Sequence, residues 1–173
     1  MELPKRKKNR LSEYDYSAPN AYFITVCTDK RRNLFWSDVG AIIDRPQIAE
    51  EDVGAISDRP NILLTQLGKI VERSIESIHE YYPGVTVDKY VIMPNHIHLL
   101  LQIHTDSDGR SMIAPTISTV VRHMKGAVTK GAGFTVWQKG FYDHIVRNEK
   151  DYQDIWQYIE GNPSKWSEDE LNV

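Results

Sequence analysis

Apolar and polar positions along this chain fall into two rhythms, one of strands and one of helices. Tyr22-Phe23-Ile24-Thr25-Val26-Cys27-Thr28 is rich in β-branched and aromatic residues and predicts a first strand. Residues 65–82 change period. Leu67, Ile70, Val71, Ser74, Ile75 and Ile78 recur at helical spacing, Thr65 suits the cap, and Tyr82-Pro83-Gly84 stops the run. Val85 to Met93 predicts a second strand and His96 to Ile103 a third, joined at a Pro94-Asn95 corner that suits a tight antiparallel connection. Thr116 to Lys130 predicts a helix with Ile117, Val120, Val121, Met124 and Val128 in one stripe. Phe134-Thr135-Val136-Trp137 reads as a short fourth strand. Glu149 to about Glu160 reads as a last helix that Gly161 and Pro163 end. The first six elements follow the order β-α-β-β-α-β. The expected fold class is α+β, a ferredoxin-like antiparallel sheet with helices packed on it. Such folds serve many functions, so the fold by itself decides none.

The length of 173 residues suits one domain, expected over 21–166, between a basic arm at 1–20 and an acidic tail at 167–173. Val39-Gly40-Ala41-Ile42-Ile43-Asp44-Arg45-Pro46 recurs 14 residues later as Val53-Gly54-Ala55-Ile56-Ser57-Asp58-Arg59-Pro60. Two copies are far short of a solenoid, so 38–60 reads as a duplicated insertion loop. The single cysteine, Cys27, excludes an intramolecular disulfide and a multi-cysteine zinc site. No apolar run is long enough to span a bilayer, and no apolar segment follows the basic start. The expectation is a soluble cytoplasmic protein without membrane contact. Net charge is −3, yet cations cluster at 5–10 and at Lys30-Arg31-Arg32, which allows local phosphate contact.

The chemistry concentrates at His96-Ile97-His98. On a strand, positions i and i+2 share a face, so both imidazoles project together as half of a divalent-metal site. Read from the pattern alone, the pair fits two hydrogen-bonded strand histidines equally well. A second constellation lies near the C-terminus. Tyr158 precedes Asn162 by four residues, and a continued helix would set them on one face. A phenol is a competent covalent nucleophile and an amide oxygen a reasonable ligand for a hard metal. Arg122, Lys125 and Lys130 add positive charge to the middle helix. Trp137 is expected in the core, Tyr142 offers a ring on which a base could stack, and His144 is expected to make a structural hydrogen bond.

Val91-Ile92-Met93-Pro94-Asn95-His96-Ile97-His98-Leu99-Leu100 resembles the histidine–hydrophobic–histidine signature of the HUH single-strand transposases. The run with Trp137-Gln138, Phe141-Tyr142-Asp143-His144, Arg147 and Tyr158-Ile159 before Asn162-Pro163 is similar to the REP-associated tyrosine transposases, IS200-like enzymes. The resemblance spans roughly residues 20–166. It implies an enzyme that cleaves and rejoins single-stranded or hairpin DNA through a 5′-phosphotyrosine link, with Mg or Mn as cofactor. Carried onto this chain, it makes Tyr158 the nucleophile, His96 and His98 metal ligands, and Asn162 the third ligand. Lys30, Arg31, Arg32, Arg122, Lys125 and Lys130 are then candidates for holding DNA. A non-catalytic protein binding structured nucleic acid, and a metal-dependent nuclease, stand as alternatives. Pairing into a homodimer is left open by the sequence.

Overall fold

A computed structural model describes residues 15–16, 18–37, 63–104 and 115–172. The 5–10 basic cluster and the 38–60 duplication lie outside the described residues. Four strands form one sheet: β1 (Asn20–Cys27), β2 (Val85–Ile92), β3 (His96–Ile103) and β4 (Tyr142–Ile145). The helices are α1 (Gln66–Glu76), the single-turn α2 (Ile78–Tyr81), α3 (Ile117–Ala132) and α4 (Glu149–Gly161). The strand order is β2-β3-β1-β4 and every pairing is antiparallel. This is the expected ferredoxin-like arrangement with a further helix. No helix among the described residues is long and apolar enough to cross a membrane.

Alternation decides which layer each side chain joins. Tyr22, Ile24 and Val26 of β1 and Ile97, Leu99, Leu101 and Ile103 of β3 face one side. They form the main core there with Val71 and Ile75 of α1 and with Val120, Val121, Met124 and Val128 of α3. Ala21 and Leu100 face the other side, where Ile155 and Ile159 of α4 cover them. His96 and His98 share the register of Leu100, so they belong to the α4 side. Ile97 lies between them and is fully buried in the opposite layer. A one-residue slip of β3 would send both imidazoles into the main core, so burial of that layer holds the register.

Two expectations need correction. The helix expected over 65–82 breaks at Ser77, because Ser74 Oγ donates to the Ile70 carbonyl and Ser77 Oγ to that of Ser74. The fourth strand is Tyr142–Ile145, not 134–137. Trp137 makes only a single bridge, to Thr28, and the chain then loops out before pairing along β1 at Tyr142↔Thr25. Gly140, at φ 84°, takes part in that excursion, and the Lys125 ammonium secures it by donating to the carbonyls of Gln138 and Gly140 at 2.7 Å each. Tyr142-Asp143-His144-Ile145 has too few apolar residues to announce a strand.

The loop before α1 braces the corner that carries the histidines. Leu34 and Phe35 N–H groups both donate to the Pro94 carbonyl. Thr65 caps α1 through Gly68 N–H and donates its own hydroxyl to the Leu34 carbonyl. A Cβ on Gly68 would stand 2.5 Å from the Phe35 carbonyl oxygen, a backbone atom that cannot swing aside. Gly68→Ala is therefore expected to lower stability by about 1–3 kcal/mol in urea unfolding. An unchanged midpoint would show that α1 is free to shift from this loop.

Candidate active site at the β1–β3 end

The β2–β3 hairpin closes where Met93 N–H bonds the His96 carbonyl, leaving Pro94-Asn95 as its tip. That tip sets His96 at the first position of β3, opposite Cys27 of β1, and His98 opposite Thr25. Both imidazoles are almost completely buried. Their Nε2 atoms point at each other across 3.0 Å.

The hydrogen-bond network shows which atoms are free to bind. Asn95 is fully buried and donates its Nδ2 to the Leu171 carbonyl at 2.7 Å and to the Arg31 carbonyl at 3.4 Å. The amide orientation follows, so Oδ1 must be the atom 2.8 Å from His96 Nδ1. An oxygen acceptor there requires the proton on His96 Nδ1, and His96 Nε2 keeps its lone pair. Thr25 Oγ1 lies 2.8 Å from His98 Nδ1. A hydroxyl can donate or accept. With no ion, His98 Nε2–H donates to His96 and the threonine hydroxyl donates to Nδ1. Turning the hydroxyl round would place the proton on Nδ1 and free both Nε2 lone pairs for one ion.

Tyr158 completes the group from the far end of the chain. Helix α4 is capped by the Asn148 side chain accepting from Asp151 N–H. It is fastened to β2 by the Tyr152 hydroxyl on Asp88 and by Lys89, which reaches Glu160 at 3.3 Å and lies over the Trp156 ring. These ties aim the exposed Tyr158 so that its hydroxyl stands 3.4 Å from His98 Nε2, its ring edge-on to both His98 and Phe23. Burial raises the Tyr158 pKa above the usual phenol value, the carboxylates of Asp169 and Glu170 add to the rise, and a hydrogen bond from Asn162 opposes it. Asn162 itself is buried, and its Oδ1 has no hydrogen-bond partner among the described residues.

One group here was invisible to sequence reasoning. The acidic tail folds back, and an Asp169 carboxylate oxygen comes within 4.0 Å of His96 Nε2. Potential ligand atoms of His96, His98 and Asp169 all lie within 4.8 Å of one another. Trp166 leans on the His96 ring and on Trp36, anchoring the segment. A lone aspartate in an acidic stretch has no spacing signal that could have singled it out. The donor set of two imidazole nitrogens and a carboxylate fits a divalent cation.

The other sequence candidates divide. Lys30 is exposed, and Arg31 is half-buried and close enough for its charge to act on His96. Arg32 is engaged with the carbonyls of Asp29 and Thr135. Arg122 and Lys130 are carried on α3, which packs on the sheet face opposite the histidines, and Lys125 holds the loop before β4. Trp137 is buried as expected, whereas Tyr142 is exposed on the histidine face. His144 pairs with Asp151 at 2.9 Å.

Burial lowers the His96 pKa to about 4, with the Arg31 charge adding to the fall and Asp169 opposing it. Burial, then the neighbouring His96, lowers His98 well below its ordinary value. Folded-state affinities below the unfolded value of about 6.5 mean that the neutral imidazoles stabilise the fold above that pH. This contribution disappears as pH falls from about 6.5 toward 4. For His96 it amounts to at most about 3 kcal/mol, at about 1.36 kcal/mol per unit. The Tm of metal-free protein should drop through this window, and His96→Gln should flatten the drop. Identical pH profiles for the two proteins would contradict the burial effect.

Comparison with known proteins agrees with this geometry. A family model described as "Transposase IS200 like" matches residues 53–162, a span that holds both histidines, Tyr158 and Asn162. A Haemophilus influenzae protein described as uncharacterized is 33% identical over 187 residues, 97% of this chain and 93% of its own. A REP-associated tyrosine transposase of Escherichia coli is 30% identical over 80 residues, 46% of this chain and 44% of the relative. Among solved structures, a REP-associated tyrosine transposase bound to a REP hairpin matches with TM-score 0.58 and 23% identity, over 90% of this chain and 74% of that one. At that identity the likeness is one of fold. With its sheet, histidine pair and C-terminal tyrosine helix accounted for, this chain belongs to the IS200-like transposase family.

Proposed function

We propose that the protein cleaves and rejoins single-stranded or hairpin DNA, with Tyr158 as the nucleophile. One observation carries the reading: a phenol from residue 158 reaches within 3.4 Å of His98 Nε2, although 60 residues separate them. Tyr158 is not a core residue, for about half of it stays exposed. The hairpin as substrate draws support from the fold relative, which is bound to one.

In this reading His96, His98 and Asn162 hold a divalent cation, Mg or Mn, with Asp169 as a further oxygen within reach. Bound there, the cation supplies charge neutralisation at the scissile phosphate and eases loss of the phenol proton. The residues do the rest. Asn95 keeps His96 Nε2 unprotonated, and Thr25 accommodates either tautomer of His98. The Tyr158 oxygen forms a bond to phosphorus as the bond to the 3′ oxygen breaks. The DNA 5′ end is left esterified to Tyr158 and the other fragment carries a 3′-hydroxyl. The phenol proton passes to solvent and the departing oxygen takes one up. Because the ester keeps the phosphodiester energy, a 3′-hydroxyl can reverse the attack and rejoin the strand without ATP.

Three outcomes test this. On a denaturing gel, oligonucleotides from DNA flanking the gene should give a covalent adduct with Mg or Mn. Tyr158→Phe, His96→Ala and His98→Ala should each reduce the adduct at least about 10³-fold, the scale seen when a nucleophile is deleted. An adduct that survives Tyr158→Phe would assign the chemistry elsewhere. Free 5′-phosphate products without any adduct would indicate hydrolysis. Thr25→Val removes the partner of His98 Nδ1 and should weaken Mn binding about 10–100-fold by calorimetry, with a loss of stability of about 1–3 kcal/mol from the unpaired buried nitrogen. Equal affinity in the variant would mean that Thr25 has no part in orienting the ring.

A further inference from the structure

The turn after β1 holds an arrangement that the chemistry above leaves unused. Lys30 and Arg31 are consecutive non-glycine residues with positive φ, 56° and 55°. Left-handed backbone at two adjacent L-residues is costly and persists only where surrounding contacts enforce it. The contacts are specific. Arg31 N–H donates to the Thr28 carbonyl at 3.2 Å, Thr28 Oγ1 donates to the Arg32 carbonyl at 2.8 Å, and the Arg31 carbonyl accepts from Asn95. Asn95 is the same residue that orients His96.

What this strained turn presents is a guanidinium. Arg31 Nη1 is buried, with no hydrogen-bond partner among the described residues. Its neighbours differ: Arg32 spends its donors on backbone carbonyls and Lys30 is solvated. Arg31 is also close enough for its charge to act on His96 and on Cys27, the two residues paired across the end of β1 and β3. A buried charged donor without an acceptor is unfavourable. A strained backbone that holds it near two imidazoles is unfavourable again. Both costs make sense if an anion completes the site.

We infer that Arg31 grips the non-bridging oxygens of the phosphate that Tyr158 attacks. This rests on the reading that the scissile phosphate docks beside His96 and His98. The planar fork of a guanidinium matches two phosphate oxygens, which a lysine ammonium cannot do. A cation held by His96 and His98 would supply positive charge there in addition to that of Arg31. The phenol comes to the histidines from α4.

The test uses the Tyr158→Phe protein, which binds without reacting, and a hairpin oligonucleotide with a single-stranded flank from DNA around the gene. A single neutral methylphosphonate is walked along the flank. Arg31→Ala should weaken binding to natural DNA about 10–100-fold. Arg31→Lys should recover only part of the loss. At one linkage the methylphosphonate should erase the difference between the parent and the Arg31→Ala variant, because the charge that Arg31 recognises is gone. If Arg31→Ala binds natural DNA as tightly as the parent, or if the deficit persists with every methylphosphonate, the assignment is wrong. Arg31→Gly gives a second check. Glycine accepts φ near 55° without strain, so Tm should hold or rise while DNA affinity falls. A large drop in Tm would instead make Arg31 a structural support. A wild-type protein that forms no adduct, yet shows the Arg31-dependent and linkage-specific binding, would defeat the strand-transfer reading and leave phosphate recognition by Arg31 standing. The reverse result would do the opposite.

Discussion

Everything at this site hangs on one buried carboxamide. Asn95 sits at the tip of the β2–β3 hairpin, and its side chain bonds to three separate parts of the chain. Its amide nitrogen ties the Arg31 turn to the C-terminal tail at Leu171, and its oxygen fixes the proton on His96 Nδ1. Were the amide reversed, two carbonyls would face an oxygen, and an N–H pointing at His96 Nδ1 would force the proton onto Nε2. The burial of Asn95 makes that alternative expensive, since each unsatisfied group would have no water to turn to. Orientation of the His96 ring by a second residue is thus built into the turn that starts the strand.

The electrostatic design is one of neutrality at rest. The two imidazoles are held uncharged by burial, so their nitrogen lone pairs stay free of protons below neutral pH. Tyr158 is pushed the other way. Burial and the carboxylates of Asp169 and Glu170 keep the phenol protonated until positive charge arrives. The overall charge of −3 is consistent with such a site, because the cations that matter are local. The described cation adjoining the histidines from the β1 turn is Arg31, whereas Arg122 and Lys130 ride on the helix that covers the opposite side of the sheet. The Asp169 carboxylate beside His96 shows that the acidic tail also belongs to the electrostatics of the centre.

Rigidity is distributed to suit this chemistry. The histidines ride on a central strand, locked by Ile97 and Leu99 in the main core. Tyr158 rides on a helix with a smaller apolar footing, Ile155 and Ile159, supplemented by polar ties to β2. Tyr158 accordingly keeps a half-open position instead of a place in the deep core. Its ring is held by edge contacts with Phe23 and His98, which orient the hydroxyl without enclosing it.

The two-residue and 3.6-residue rhythms made most elements legible, along with the shared face of His96 and His98, because these features depend on neighbours in the chain. The nearness of Tyr158 to Asn162 was legible for the same reason. The 142–145 strand was not: only the free edge of β1 turns Tyr-Asp-His-Ile into β structure. Asp169 was not legible either, since its meaning comes from proximity to a residue 73 positions away (169 minus 96). The same holds for Arg31, which reads as one cation of three until the turn singles it out. Local periodicity determines which residues share a face, for that needs only backbone geometry. Which phenol and carboxylate converge on that face depends on long-range packing, and only the folded chain decides it.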